Sequence, residues 1–365
     1  MRAALFALLA FTSALSAQNA ADPTGNPIVA YAYVGENTTP GNISAFAVRL
    51  NGTISRVNGS PFRGPARNLV VTSGYVFGTD LLNITTYTRL PNGALVMTSA
   101  VNGVGHNDTP NDSAVGSMSL DRTGSSLYAS EINFQGTDNA AYAQFSITNG
   151  GKLVFGSNSP ISVNDLSSLQ FSQDNKFAYG QGCFFANWDI PAFHREPSGK
   201  LTPFDPGNTF PPITADETPC PEASAVSAKG YLAIAWGNAG VVSKQSIEVL
   251  QITPTGGLQR VSNLQTNFTG ILSIRFDPTG TYLAVAGQTG IESFRLNTNG
   301  TLTLLSAPIL NDTRLFGLQW DGAGHVYAIS SSALYVFGSC KGILTFAGQP
   351  VVITKPQSLA VLPVR

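Results

Sequence analysis

The hydrophobic positions of this chain alternate instead of recurring every third or fourth residue. Short apolar or aromatic runs are separated by clusters of Gly, Asn, Asp, Ser and Pro. That pattern predicts half-buried strands joined by tight turns, with minimal helix content. Ser273–Ala307 holds one complete unit: SIRFD, PTG, TYLAVAG, IESFRL, NTNG and TLTLLS. It reads as a four-stranded antiparallel meander.

The unit recurs along the chain. First strands are NLVVT (68–72), SMSLD (117–121), SLQFS (168–172), ASAVS (223–227), SIRFD (273–277) and GLQWD (317–321). Second strands are YAYVG (31–35), YVFGT (75–79), LYASE (127–131), FAYGQ (177–181), YLAIA (231–235), YLAVA (282–286) and VYAIS (326–330). Third strands carry an aromatic six residues before a glycine turn, in Phe46/Gly52, Tyr87/Gly93, Phe145/Gly151, Phe193/Gly199 and Phe294/Gly300. The turns read NGTI, NGAL, GGKL, SGKL, GGLQ, NGTL and KGIL, and a glycine there supplies the positive φ that a tight hairpin needs. The first unit lacks an innermost strand, while a spare SLAVL (358–362) follows the last unit. Ser358–Leu362 is therefore expected beside Tyr31–Gly35. The fold class expected is all-β: a seven-bladed β-propeller of four-stranded antiparallel blades, closed by its C-terminal strand. Phe46, Tyr87, Phe145, Phe193, Phe276, Phe294 and Trp320 are expected to pack between blades.

Composition sharpens this picture. Charged residues are 11% of the 365, with 37 Gly and 22 Pro, which suits many short strands. A formal net charge of −1 provides no basic field for nucleic acid or anionic lipid, and a 43% apolar content excludes a disordered chain. Residues 1–17 read as a signal peptide: Arg2, the apolar Ala3–Phe11, then small residues to Ala17. A buried N-terminal strand or helix is the alternative. Residues 18–27 form a short lead, and 28–365 a single propeller domain. No other run approaches the roughly 20 apolar residues of a spanning helix. The expectation is a secreted or periplasmic monomer with no membrane span. Cys183, Cys220 and Cys340 allow a Cys183–Cys220 bridge with one thiol left over, or three separate buried thiols. Sequons stand at Asn37, Asn42, Asn83, Asn107 and Asn267 among others, and are glycosylated only in a eukaryotic host.

The run FDPTGTYLAVAG (276–287), the NGTL turns and the C-terminal SLAVL resemble the seven-bladed propeller lactonase family. That family includes 6-phosphogluconolactonases and carboxymuconate-lactonising enzymes, and the resemblance spans about Ile28 to Leu362. It implies a catalytic set of His, Arg and Glu drawn from different blades at the mouth of the central channel, in motifs such as PHxH, GPRH, SEIH and PRDF. Those motifs are not reproduced. Ala114-Val115-Gly116 precedes SMSLD, Asp165-Leu166-Ser167 precedes SLQFS, and Gly270-Ile271-Leu272 precedes SIRFD. Only Pro219-Cys220-Pro221-Glu222-Ala223 keeps a glutamate, one residue out of the family position.

The residues leading into the inner strands supply other candidates. Glu222 and His106 could activate water, while Arg67 and Arg314 could hold an anionic group. Asp165 adds a substrate-binding carboxylate. Each has a plainer reading, because Asx residues in Gly/Pro-rich loops shape turns and rim arginines are commonly only solvated. His325 and His194 read as structural. No zinc spacing, calcium loop, phosphate-binding glycine loop or GxSxG elbow is present, so neither metal nor cofactor is expected. Two functions remain open. One is an exported lactonase-like hydrolase of a sugar lactone or related cyclic ester. The other is a non-catalytic extracellular propeller that binds a glycan or protein partner.

Overall fold

A computed structural model describes residues 25–103, 113–133, 140–161, 167–184, 187–207, 219–238 and 241–364. Among them every regular element is a strand. The strands form seven antiparallel sheets of four or five strands and one separate two-stranded hairpin. The sheets are the blades of a propeller. The fold class and the closure expected from the repeats both hold.

Closure is antiparallel and in the expected register. Pro356–Pro363 pairs with Ile28–Glu36, with Ser358 opposite Gly35, Ala360 opposite Tyr33 and Leu362 opposite Tyr31. Blade 1 therefore takes its innermost strand from the far end of the chain. Val34, Leu359 and Val361 pack with Tyr327 and Ile329 of blade 7, joining the two ends of the ring in one apolar cluster. This removes the long free edges that an open sheet would expose.

The seven glycine turns are all in the left-handed region. Gly52, Gly93, Gly151, Gly199, Gly256, Gly300 and Gly342 have φ between 76° and 91°. A second constraint explains why glycine recurs. An aromatic from the second strand of one blade lies flat against the turn of the next, as Tyr31 does on Gly93, Tyr75 on Gly151, Phe177 on Gly256 and Tyr282 on Gly342. A Cβ at those turns would enter the ring. Buried hydroxyls reinforce the contact, from Tyr33 to Gly93 O at 3.1 Å, Tyr128 to Gly199 O at 2.6 Å and Tyr179 to Gly256 O at 2.7 Å. Blades 1 to 6 are each latched to the next blade in this way, whereas the turn of blade 1 at Gly52 meets Ala347 of blade 7 instead of an aromatic.

The aromatics expected between blades are there with two differences. Phe46, Tyr87, Phe145, Phe193 and Phe294 are fully buried, but Phe276 and Trp320 are only partly covered. Trp320 instead donates its indole N–H to the Arg275 carbonyl at 3.0 Å. Where no aromatic stands six residues before the turn, Leu250 and Val336 are buried in its place. Blade 4 departs most from the repeat. Its second and third strands, Phe177–Tyr179 and Ala192–Arg195, are separated by the hairpin Gly182–Phe184 and Asn187–Asp189. Cys220 is disulfide-bonded and Cys340 is free and exposed, so three separate thiols are not what the fold contains. The side chain of Cys183 lies outside the described residues. The leader expected over 1–17 also lies outside them. Among the described residues no helix is long and apolar enough to cross a membrane.

Candidate functional site at the channel mouth

One face of the ring carries the connections that lead into the innermost strands, together with the loops between second and third strands. Connections of this kind converge on the channel mouth, so candidate chemistry is sought there. Glu222 lies on the innermost strand of blade 5, Pro219–Val226. The register slips between Pro221 and Ala223, which face Trp236 and Ala235. Glu222 is therefore the extra residue of a β-bulge, a device that re-aims a side chain. Its side chain lies beside Gly237 of the neighbouring strand, where a Cβ would lie 2.9 Å from Glu222 Cγ and would also meet the Gln245 amide. The carboxyl is exposed, yet desolvation by the surrounding chain raises its pKa above the usual glutamate range. It has no hydrogen-bond or ion-pair partner among the described residues.

Arg67 stands across the ring, before the first strand of blade 2, Asn68–Val71. Its main-chain N–H donates to Thr79 O at 2.7 Å, which fixes the loop and leaves the guanidinium exposed and unpaired. Arg67 borders a cleft of about 850 Å³ between blades 1 and 2. The sequence reading misses the other charged groups of this cleft: Arg63, Glu36 and Asp80. Arg63 is exposed and unpaired like Arg67. The two acids are already engaged. Glu36 is buried and accepts from Ser44 Oγ at 2.5 Å, while Asp80 Oδ1 accepts the Leu82 and Asn83 N–H groups. Gly64, at φ 148°, lines the cleft and lies against the Tyr87 hydroxyl.

Arg314 follows a turn in which Leu310 adopts φ 61° and its carbonyl accepts from Thr313 at 2.8 Å. It too is exposed and unpaired. His106 and Asp165 lie outside the described residues. The cleft collects Arg67 but neither Glu222 nor Arg314, so those three do not share one cavity. His325 is structural, its ring nitrogen Nδ1 2.8 Å from Asp321 Oδ2, and His194 packs at tilted angles against the Phe177 and Phe204 rings. Among the described residues no three His, Cys, Asp or Glu side chains are grouped so as to hold a metal ion. Glu292, on the third strand of blade 6, is buried and has its pKa raised by that burial.

These features define a seven-bladed β-propeller with unpaired charged groups around its mouth. Among solved structures the architecture matches a putative 6-phosphogluconolactonase from Bacteroides uniformis, at TM-score 0.72 and 16% identity over 92% of this chain and 99% of that one. It also matches a periplasmic gluconolactonase from Pseudomonas aeruginosa, at TM-score 0.66 and 15% identity over the same shares. A Lactobacillus plantarum protein matches at TM-score 0.69 and 14% identity, covering 92% of this chain and 99% of that one. At these identities the likeness is one of fold. No protein-family model and no curated protein matches the chain.

Proposed function

We propose that this chain is an exported, lactonase-like hydrolase that opens a sugar lactone or related cyclic ester at the mouth of the central channel. The observation that carries the reading is Glu222: a carboxyl with a raised pKa, unpaired, on a bulge at the inner-strand end of blade 5. Lactone hydrolysis needs a base that takes a proton from water as its oxygen attacks the ring carbonyl. The C–O bond of the ring then breaks, and the leaving alkoxide takes a proton. A carboxylate whose pKa is shifted toward neutrality is a better base than an ordinary glutamate. Arg67 and Arg314 are assigned to holding an anionic substituent, and His106 and Asp165 are retained as further candidates of the same mouth. Export is part of the proposal, resting on the leader at 1–17, and a disulfide-bonded Cys220 accords with an oxidising compartment.

The test is hydrolysis of a panel of sugar lactones by the purified mature protein, followed with a pH indicator. Glu222→Gln is run beside the wild type. Loss of turnover in a folded variant supports the reading; no turnover on any lactone by the wild type overturns it. A second reading has its own observation. The blade 1–2 cleft offers two unpaired guanidiniums, while its acids are tied to the fold, an arrangement suited to binding an anionic glycan without chemistry. Retained binding of an acidic oligosaccharide together with no hydrolysis would favour it.

A further inference from the structure

The bore of the propeller holds a positive charge that no acidic group balances among the described residues. Arg275 lies on the innermost strand of blade 6, Ile271–Phe276, and lines a cavity of about 280 Å³ formed by inner strands of several blades. It is the one ionisable side chain among the lining residues, which otherwise are aliphatic, Met, Ser or Gln. Its guanidinium donates only through Nη1, to the carbonyls of Ser224 at 3.3 Å and Ile274 at 3.2 Å. Nε and Nη2 find no acceptor among the described residues. Arginine carries five N–H donors in a rigid fork, so most of its capacity points at the cavity. Burial pulls its pKa down from the ordinary arginine value.

Two further groups in the same cavity are in the same condition. Gln170 and Gln319 line it, and neither side chain has a hydrogen-bond partner among the described residues. Elsewhere in this chain a buried guanidinium is neutralised directly: Arg195 Nη2 lies 2.9 Å from Asp121 Oδ2. Water in the bore could accept the spare N–H bonds of Arg275, but it does not cancel the charge. In a space partly closed off from bulk solvent and lined by aliphatic as well as Ser and Gln side chains, the counter-charge is worth more than in bulk solvent.

We propose that the bore binds a small monovalent anion, a halide or a short carboxylate, at Arg275, with the amide N–H groups of Gln170 and Gln319 as its further donors. One balancing charge favours a monoanion over sulfate. At roughly 30 Å³ per water, the cavity accommodates such an ion with part of its hydration shell. The site lies within the bore, apart from Glu222 and from the blade 1–2 cleft, and is independent of any lactonase activity.

Thermal unfolding of the mature protein at constant ionic strength tests this, with a bulky sulfonate buffer salt replaced stepwise by sodium chloride, bromide or formate. Wild type is expected to melt higher, by about 2–4 °C at saturation, with a hyperbolic dependence on each anion. Arg275→Gln should keep its β-sheet circular dichroism and lose the rise, and Gln319→Leu should weaken it several-fold. Equal melting in sulfonate and halide, or an equal rise in Arg275→Gln, overturns the proposal. Should Arg275→Gln fail to fold, chloride-35 line broadening on wild type decides. Excess broadening displaced by bromide supports the site, and displacement by formate as well extends it to carboxylates. No excess broadening overturns it.

Discussion

The two faces of this propeller differ in how most of their charged side chains are used, with Asp80 of the mouth cleft, which caps its own turn, as the exception. On the face away from the mouth, hairpins between first and second strands close on a hydroxyl or a carboxylate that ends the first strand. Ser172 and Thr72 accept the Phe177 and Tyr75 N–H groups. Asp121, Asp277 and Asp321 each accept two or more main-chain N–H groups of their own turn. On the mouth face Glu222, Arg63, Arg67 and Arg314 accept or donate nothing through their side chains. A charged side chain saturated by its own turn holds the fold; one left unpaired on a fixed loop is free for a ligand. Sequence patterning alone does not separate the two, because an Asp before a Pro/Gly turn and a Glu before an apolar strand both read as polar positions at strand ends.

The saturated face should be the costlier to damage. Asp121 receives Thr123 Oγ1 at 2.6 Å and Asn175 Nδ2 at 2.9 Å, and pairs with Arg195 at 2.9 Å. That ties blade 3 to blade 4 at two points. Asp121→Ala would leave the Arg195 guanidinium buried without its charge partner, and should cost about 3–5 kcal/mol of unfolding free energy, read by urea denaturation. The pH dependence follows the same contacts. Burial alone would raise the Asp121 pKa, but hydrogen bonds from Thr123, Ser126 and Asn175 and the Arg195 charge lower it overall. Asp321 behaves likewise: burial would raise its pKa, and bonds from His325 and Tyr327 lower it. A folded-state pKa below the unfolded one gives stability that is complete above the ordinary Asp value near 3.8 and is lost as pH falls through the depressed value. Melting temperature should therefore fall steeply below about pH 4, and Asp121→Asn should flatten that fall. An unchanged acid limb in the variant would remove Asp121 from the face that holds the fold.

Glu222→Gln is the reverse case. It removes no protein contact, so melting should be retained while lactone turnover drops about 100-fold or more. The rate should also fall as pH drops through a value above the ordinary glutamate pKa, since the carboxylate is the working form and its pKa is raised. A variant that loses melting temperature instead of turnover would make Glu222 one more structural acid. Asp277→Ala comes next in size. It caps its hairpin through Thr281 and Tyr282 N–H, both at 2.7 Å, but has no buried cationic partner, so a loss of about 1–2 kcal/mol is expected. A loss as large as at Asp121 would mean that the turn, rather than the Arg195 ion pair, dominates that face.

Much of this architecture was legible in the chain, and the reasons are local. Alternation identifies strands, a glycine at positive φ marks each outer turn, and an unmatched SLAVL finds the unmatched YAYVG. The inter-blade latch was half visible, since Tyr31, Tyr75 and Tyr282 open their second strands, yet only the packed ring shows that each lies on a glycine of the following blade. The cleft was not legible. Its lining comes from segments near Glu36, Arg63, Asp80 and Gln357, and alternation tells which residues share a face without telling where two blades part. Arg275 was hidden for a related reason. In SIRFD it occupies what a two-sided strand would turn to solvent, but on an innermost strand that position belongs to the bore. A charged residue inside a first-strand run is the signal that could have found it.

The smallest expected effects lie in the cleft, and they sharpen the comparison most. Arg63→Ala and Arg67→Ala remove exposed guanidiniums with no protein partner, so each should shift the melting temperature by no more than about 1 °C. The double variant should behave the same way, because nothing couples the two side chains through the protein. Both should nonetheless weaken binding of an acidic oligosaccharide or a carboxylate-bearing lactone, read by calorimetry at low salt, with the wild-type affinity falling as salt rises. Lysine in place of Arg67 keeps the charge but not the planar fork. Rescue by Arg67→Lys would mean that the cleft reads charge alone, and failure of rescue would mean a bidentate contact to a carboxylate. A melting loss of several degrees in the single variants would show that this part of the mouth also holds the fold, and the division between the two faces would then fail at blades 1 and 2.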